Sequence, residues 1–168
     1  MKVLILSDTH GYLDPRIASL ARDADYAVHA GDVGGTDVLM GLRPRYSMLA
    51  IRGNNDVVAK WAAEGLAALS ALPDEATLQL PGGTLVAVHG HRHGPPKRRH
   101  ERLRRAYPNA RCIIYGHSHR AICDLEKTPW VLNPGAAGRA RTFGGPACLV
   151  LTATSKRWTI APRRFDNH

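Results

Sequence analysis

The chain has 168 residues, 44% of them hydrophobic, and its 23 Lys and Arg against 14 Asp and Glu give a formal net charge of +9. This length and hydrophobic content fit a single domain over residues 1–168 and exclude a disordered chain. The apolar runs are too short for a signal peptide or a membrane span, so we expect a cytoplasmic protein with no membrane partner. Three widely spaced cysteines, Cys112, Cys123 and Cys148, favour reduced thiols over a disulfide framework or a zinc–thiolate site.

The first half of the chain predicts alternating strands and helices. Apolar runs over 3–6, 26–30 and 46–51 predict strands, the first of them buried on both faces. Asp14 and Pro15 predict a helix start, as N-cap and first helical residue, and further helices are expected over 36–42 and 57–69. This βαβαβ order predicts right-handed crossovers and a parallel sheet.

The second half predicts a different arrangement. Residues 76–80 and 84–88 are expected to form a hairpin around a glycine turn, followed by a basic helix over 97–106 and a strand over 112–115. Two antiparallel pairs are expected next, 121–125 with 130–132 and 147–153 with 157–160, and the tail after Arg163 is expected to be poorly ordered. The predicted fold class is α/β, a two-sheet mixed β-sandwich flanked by helices.

Side chains that can bind a metal follow the ends of the apolar runs. They offer only oxygen and nitrogen donors, and they are Asp8, His10, Asp32, Asn54, His89, His117 and His119. Because α/β proteins place their chemistry at strand ends, we expect these residues to converge. Two divalent ions that share one carboxylate need about this many ligands. The hypothesis is a dinuclear metal hydrolase acting on phosphate esters. The negative charge of such substrates suits the basic chain. The alternative is that the positive charge of the chain reflects only a GC-rich genome.

Each group has a simpler explanation when it is taken alone. Asp8 and His10 fit a polar loop. Asp32 fits an N-cap for the helix that follows, and Asn54 fits ordinary turn chemistry. A single histidine is more often structural than a ligand. Six of the nine histidines, however, lie in these groups or in the loop that continues from His89, and leaving so many converging polar side chains without a ligand would cost sizeable desolvation energy.

The segments DTH, GD, GNND, HGH and GHSH, in this order, carry a resemblance to a known family. They resemble the motifs of the calcineurin-like metallophosphoesterases over residues 1–138. Within that family the chain is similar to small prokaryotic phosphodiesterases that share the fold of the eukaryotic retromer subunit. The resemblance implies two flanked sheets with the metals at one end. It implies one metal site from Asp8, His10, Asp32 and His119 and a second from Asp32, Asn54, His89 and His117, with Asp32 bridging.

The resemblance also implies the cofactors and the reaction. Two divalent ions are expected, Mn²⁺ first, with Fe²⁺, Zn²⁺, Ni²⁺ or Co²⁺ as alternatives. Metal-bound hydroxide would attack phosphorus in line, and His10 is a candidate contact for the leaving group. Many family members carry His at the position of Asn55, where it protonates the leaving group. Since asparagine has no titratable proton, we expect weak activity on poor leaving groups, with His91 as the preferred substitute and His93 as the other candidate.

Two further segments each allow two interpretations. Residues 133–135, Asn-Pro-Gly, resemble a family loop beside the metals and equally fit a plain turn. The Arg-rich residues 92–105 could steer a phosphate-ester small molecule, a nucleotide or nucleic acid towards the metals, or form a solvated helix face. The leading hypothesis is a metal-dependent phosphodiesterase, and the alternatives are a phosphomonoesterase and a metal-binding protein-interaction scaffold of the same fold.

Overall fold

Ten strands and four α-helices make up residues 1–166, which this computed structural model describes. The strands are β1 (Lys2–Leu6), β2 (Tyr26–His29), β3 (Ser47–Ala50), β4 (Glu75–Leu80), β5 (Gly83–Val88), β6 (Cys112–Ile114), β7 (Ile122–Asp124), β8 (Trp130–Asn133), β9 (Ala147–Ala153) and β10 (Trp158–Arg164). The helices are α1 (Pro15–Arg22), α2 (Thr36–Gly41), α3 (Leu66–Ala71) and α4 (Pro96–Ala106). The strands form two five-stranded sheets, in the orders β10-β9-β1-β2-β3 and β4-β5-β6-β8-β7. The predicted two-sheet mixed sandwich flanked by helices is confirmed.

Each sheet has three adjacent parallel strands, with antiparallel strands on one side of them in the first sheet and on both sides in the second. β1, β2 and β3 run parallel in the first sheet, as do β5, β6 and β8 in the second. β9 and β10 extend the first sheet antiparallel, and β4 and β7 do so on the two sides of the second. The carboxyl ends of the parallel strands therefore lie along one edge of each sheet.

Side-chain alternation builds three apolar layers. Val3 and Ile5 of β1 belong to the core between the sheets, whereas Leu4 and Leu6 pack on the other face with Ile17 of α1. Each fully buried Leu or Ile contributes roughly 1.5–3 kcal/mol. On the second sheet the outer face packs in the same way against α4. The continuous apolar runs of the sequence reflect this burial on both faces.

The helices are short, and α1 begins as predicted. The side chain of Asp14 accepts a hydrogen bond of 2.9 Å from the backbone N–H of Arg16, and Pro15 opens the helix. α4 is the longest at 11 residues. Within residues 1–166 no helix has the length and apolarity needed to cross a bilayer. The three cysteines form no disulfide, as expected.

The predicted helix over 57–69 is wrong. Two short 3₁₀ turns, Val58–Lys60 and Ala63–Gly65, lead into α3. The buried indole of Trp61 explains the difference, because its Nε1 donates to Asp56 at 3.1 Å while its ring packs in the apolar cluster with Val33. The chain bends around this side chain instead of continuing as one helix.

The end of the chain is better ordered than predicted. β10 continues to Arg164, and the backbone N–H of Phe165 donates to the carbonyl of Pro146 at 2.9 Å. The guanidinium of Arg16 lies 4.9 Å from the centre of the Phe165 ring. The expectation of poor order after Arg163 is therefore wrong for 164–166, and residues 167–168 lie outside the described residues.

Candidate metal centre

Seven polar side chains meet at the carboxyl ends of the parallel strands. Asp8 and His10 follow β1, Asp32 follows β2, Asn54 follows β3, His89 follows β5, and His117 and His119 follow β6. Backbone hydrogen bonds join the loops, from Asp8 to the carbonyl of Gly31 at 3.0 Å and from Gly116 to that of His89 at 3.2 Å. The convergence that the sequence predicts is therefore present.

Asp8 is a fully buried carboxylate. Its Oδ2 accepts from the hydroxyl of Ser7 at 2.7 Å, and its Oδ1 accepts from the backbone N–H of His117 at 3.1 Å. Oδ1 also lies 3.5 Å from Nε2 of His119. Burial raises the pKa of Asp8 to about 7, although nearby His89 and the hydrogen bond from Ser7 act in the other direction. A carboxylate this poorly solvated is stabilised in its ionised form by a cation beside it.

Asp32 lies between two imidazoles and is held in place by Asn55. The backbone N–H of Asn55 donates to Oδ1 and its side-chain amide donates to Oδ2, both at 2.7 Å. Oδ2 lies 3.4 Å from Nε2 of His89 and 3.8 Å from Nε2 of His10. Burial acts to raise the pKa of Asp32, but the contacts with His89 and Asn55 outweigh it and keep that pKa below its ordinary range. Asp32 is therefore ionised and faces both halves of the site.

Backbone carbonyls fix the tautomers of two histidines. Nδ1 of His89 lies 2.8 Å from the carbonyl oxygen of Ala30, and Nδ1 of His119 lies 3.2 Å from that of Ala140. Because a carbonyl oxygen only accepts, each Nδ1 carries the hydrogen, and Nε2 is the ring nitrogen that faces the site. Histidines that bind metals typically donate their other ring N–H in this way.

Ring nitrogens of the site lie at hydrogen-bond distance from one another and from Asn54. Nε2 of His89 is 3.0 Å from Oδ1 of Asn54, and Nδ1 of His117 is 2.9 Å from the same oxygen. Nε2 of His10 and Nε2 of His119 are 3.1 Å apart. Two ligands at about 2.1 Å from one ion and separated by about 100° lie about 3.2 Å apart. The spacings thus fit donor atoms that share a cation.

Two groups of three donors could each hold an ion. Asp8, His10 and His119 form the first, and Asp8, Asp32 and His89 form the second, with all donor atoms of a group within 4.8 Å of one another. The first group lies within the first ligand set that the family resemblance implies. The second joins two members of the other implied set to Asp8. The residues present therefore fit divalent ions.

The backbone is strained at these same positions. Seven non-glycine residues within 1–166 have a positive φ, and five of them are Asp8, His10, Asp32, His117 and His119, with φ between 49° and 67°. Each such residue costs on the order of 1–3 kcal/mol. Strain of this kind concentrates at functional sites, so its distribution marks this loop cluster as one.

Asn133 fixes the loop over 116–119. Its buried side-chain amide donates to the carbonyl of Gly116 at 2.7 Å and to the hydroxyl of Ser118 at 3.0 Å. Its Oδ1 accepts from the backbone N–H of Gly135 at 2.9 Å. Of the two interpretations of residues 133–135, these bonds support the loop beside the candidate ligands over a plain turn.

The three residues predicted to be catalytic differ in their surroundings. His10 is among the seven side chains, with Nε2 next to His119. The side-chain amide of Asn55 donates to Asp32, and its Oδ1 accepts from the ammonium of Lys60. The ring of His91 lies beside the site, with its centre 5.4 Å from that of His89.

Sequence reasoning missed two side chains that shape the site. Asp56 accepts from the backbone N–H groups of Val33, Gly34 and Gly53, which ties the loop after β2 to the loop after β3. Asp56 is the last residue of the segment GNND, and this was the sequence signal that could have identified it. Arg141 donates to Nε2 of His119 at 3.2 Å. No motif marks Arg141, because it reaches the site only through the folded path of the chain.

A cleft opens beside Asn54. Its volume is about 560 Å³, which lies in the range of small-molecule sites. Apolar side chains of Val57, Val58 and Leu69 line it together with His91 and Arg92. The cleft thus adjoins the side of the site where Asn54 and His89 meet.

Known proteins resemble this chain in sequence and in fold. Residues 1–156 match the calcineurin-like phosphoesterase superfamily domain. The chain is 27% identical over 165 residues to the probable metallophosphoesterase YsnB of Bacillus subtilis (strain 168), across 95% of this chain and 89% of that protein. A single mutant of Vps29 from Entamoeba histolytica superposes with a TM-score of 0.77 at 16% identity over 100% of both chains. A protein described as a novel archaeal phosphodiesterase does so with a TM-score of 0.72 at 22% identity, over 97% of this chain and 100% of that one. The chain belongs to the calcineurin-like phosphoesterase superfamily, which implies hydrolysis of phosphate esters with divalent metal ions.

Proposed function

We propose that the protein is a phosphodiesterase that uses two divalent metal ions. The observation that carries the proposal is the convergence of potential ligand atoms 2.9–3.1 Å apart, at His10 with His119 and at Asn54 with two other histidines. Two ligands of one ion lie at about this separation. A cation beside Asp8 would also offset the cost of burying that carboxylate.

The ligand assignment follows the two halves of the site. One ion would be held by Asp8, His10, Asp32 and His119, and the other by Asp32, Asn54, His89 and His117. Support for Asp32 as the shared ligand comes from its Oδ2, which lies within 3.8 Å of imidazole nitrogens on both sides. Imidazole with carboxylate suits Mn²⁺, our first choice, while Fe²⁺, Zn²⁺, Ni²⁺ and Co²⁺ fit the same donors. When bound, the ions would polarise the phosphoryl group and lower the pKa of a water molecule.

The chain's own residues orient the reacting groups and donate a hydrogen bond to the leaving group. Asn55 holds Asp32 through two hydrogen bonds, and Asn133 holds the loop over 116–119, so the reacting groups need little rearrangement. We assign His91 to the leaving group, to which its ring N–H donates a hydrogen bond as the ester oxygen departs. His91 qualifies because it both adjoins His89 and lines the cleft. His10, partly exposed on the other side, is the alternative contact.

The cleft favours a diester of a small molecule. A phosphodiester carries a second organic group, and about 560 Å³ beside Asn54 offers it room against Val57 and Val58. The fold shared with the archaeal phosphodiesterase points in the same direction. A phosphate-ester small molecule or nucleotide is therefore the proposed substrate class.

A protein-interaction scaffold is the second candidate, and the similarity to Vps29 favours it. All seven donors are present, which a scaffold without bound metal does not require. Nucleic-acid binding through residues 92–105 receives less support, because two of the arginines are used inside the fold. Arg99 is buried, and Arg104 pairs with Asp124 at 2.8 Å.

The test is turnover by protein stripped with chelator and reloaded with one divalent ion at a time. Bis(p-nitrophenyl) phosphate, p-nitrophenyl phosphate and single-stranded DNA serve as substrates. We expect metal-dependent hydrolysis with a higher kcat/KM for the diester, abolished in Asp32→Ala and retained in the exposed-carboxylate control Asp37→Ala. Preference for the monoester would identify a phosphatase, and no turnover with any of the five ions would favour the scaffold.

A further inference from the structure

We propose that Arg141 binds the phosphoryl oxygens of the substrate, an inference that rests on the phosphoesterase function proposed above. Its Nη2 donates to Nε2 of His119 at 3.2 Å. Since Nδ1 of His119 carries its hydrogen towards the carbonyl of Ala140, the lone pair on Nε2 is the acceptor. That lone pair is the one that a metal ion would take.

A guanidinium and a metal ion compete for this nitrogen. Arg141 has five donors, no acceptor and a permanent charge, and its donors face solvent once His119 holds an ion. An anion is a stronger partner than water at this position, because it would lie between the guanidinium and a divalent cation. The phosphoryl oxygens of a bound ester meet this requirement, and their spacing suits a guanidinium fork.

The neighbouring side chains leave Arg141 available for this role. Arg139 stacks 3.6 Å from the ring centre of Tyr12, and Arg120 stacks 4.2 Å from that of Phe143. Within residues 1–166 no carboxylate pairs with Arg141. Its own backbone is left-handed, with φ of 52°, a conformation that fixes the direction from which the side chain leaves the loop.

Calorimetric titration tests the inference without turnover. Inorganic phosphate is titrated into the manganese-loaded wild type, into Arg141→Ala and into the control Arg157→Ala, which removes an exposed arginine from the turn between β9 and β10. We expect the Kd for phosphate to rise about tenfold in Arg141→Ala, the loss of one charge-assisted hydrogen bond, and to stay within twofold in the control. Manganese alone should bind Arg141→Ala at least as tightly as wild type, since a competitor for His119 is gone.

A change in phosphate Kd below threefold would overturn the inference, as would weaker binding of manganese alone. If Arg141→Ala fails to fold, Arg141→Gln preserves most of the side-chain volume and gives the same readouts. Phosphate binding that depends on Arg141 in a protein that cleaves no ester would refute the proposed function alone. Ester turnover with unchanged phosphate binding in the variant would refute only the role of Arg141.

Discussion

Replacing Asp8 with asparagine should stabilise the metal-free protein at neutral pH. The amide has the size of the carboxylate and can satisfy every partner. Its oxygen accepts from the backbone N–H of His117, and its NH₂ donates to Ser7, whose hydroxyl still reaches the carbonyl of Gly135 at 3.0 Å. The substitution therefore removes a buried charge without leaving an unpaired group.

The magnitude follows from the pKa of Asp8. Burial raises that pKa from 3.8 in the unfolded chain to about 7 in the folded protein. A carboxyl group with a raised pKa favours the folded state fully below pH 3.8, and this contribution is lost as the pH rises through 7. At 1.36 kcal/mol for each pH unit between the two values, the loss reaches about 4 kcal/mol. Asparagine does not titrate, so Asp8→Asn should match wild type near pH 4 and exceed its free energy of unfolding by up to about 4 kcal/mol at pH 8.

Urea denaturation followed by circular dichroism, in chelator at several pH values, measures this difference. The exposed-residue control Asp37→Asn should follow wild type throughout. Mn²⁺ at 100 times its Kd should narrow the difference, because it adds about 2.7 kcal/mol to the stability of a protein that binds it. A constant difference at every pH, or a variant that is less stable at pH 8 in chelator, would refute the reasoning.

Three further predictions concern positioning and substrate fit. Asn55→Ala removes a 2.7 Å hydrogen bond to Asp32, and we expect kcat/KM or metal affinity to fall about 10–100-fold with near-wild-type unfolding curves. Val58→Trp narrows the cleft at a side chain that is 67% exposed, so kcat/KM for a nucleoside-sized diester should fall about tenfold while that for p-nitrophenyl phosphate holds. Met40→Trp, at a similarly exposed position outside the cleft, is its control. Asn133→Ala should lower the free energy of unfolding by about 2–4 kcal/mol in urea titrations, because it deletes three hydrogen bonds, two of them buried.

The strands and the seven candidate metal ligands were predictable because both depend on local sequence patterns. A strand buried on both faces must be apolar throughout, so its end is visible in the sequence where polar residues follow, as at Ser7 and Asp8 after β1. Parallel strands then bring their ends together, whatever the details of the loops. These two rules predict that the side chains at the strand ends of one sheet converge, while the meeting of the two sheets follows from the family resemblance.

Contacts between distant residues could not be predicted in this way. Trp61 breaks the predicted helix because its ring packs against residues far away in the chain, and helical periodicity carries no sign of that packing. Arg141 is 22 residues from His119 and lies in no recognisable motif. The left-handed backbone at Asp32 is likewise poorly visible, since Asp is enriched at positive φ but adopts it in only a small fraction of cases.

The packed strands of the two sheets hold the loops of the site in conformations that are unfavourable for the loop residues themselves. Five strained residues and one poorly solvated carboxylate oppose folding in the absence of metal. They persist because they lie in the loops that follow strands with largely buried side chains, as Val3 to Leu6 are before Asp8. The glycines complete this arrangement, since a Cβ on Gly53 would lie 2.1 Å from Oδ1 of Asp32. A bound cation would offset the cost of the buried Asp8 carboxylate, so metal affinity and the free energy of unfolding are linked.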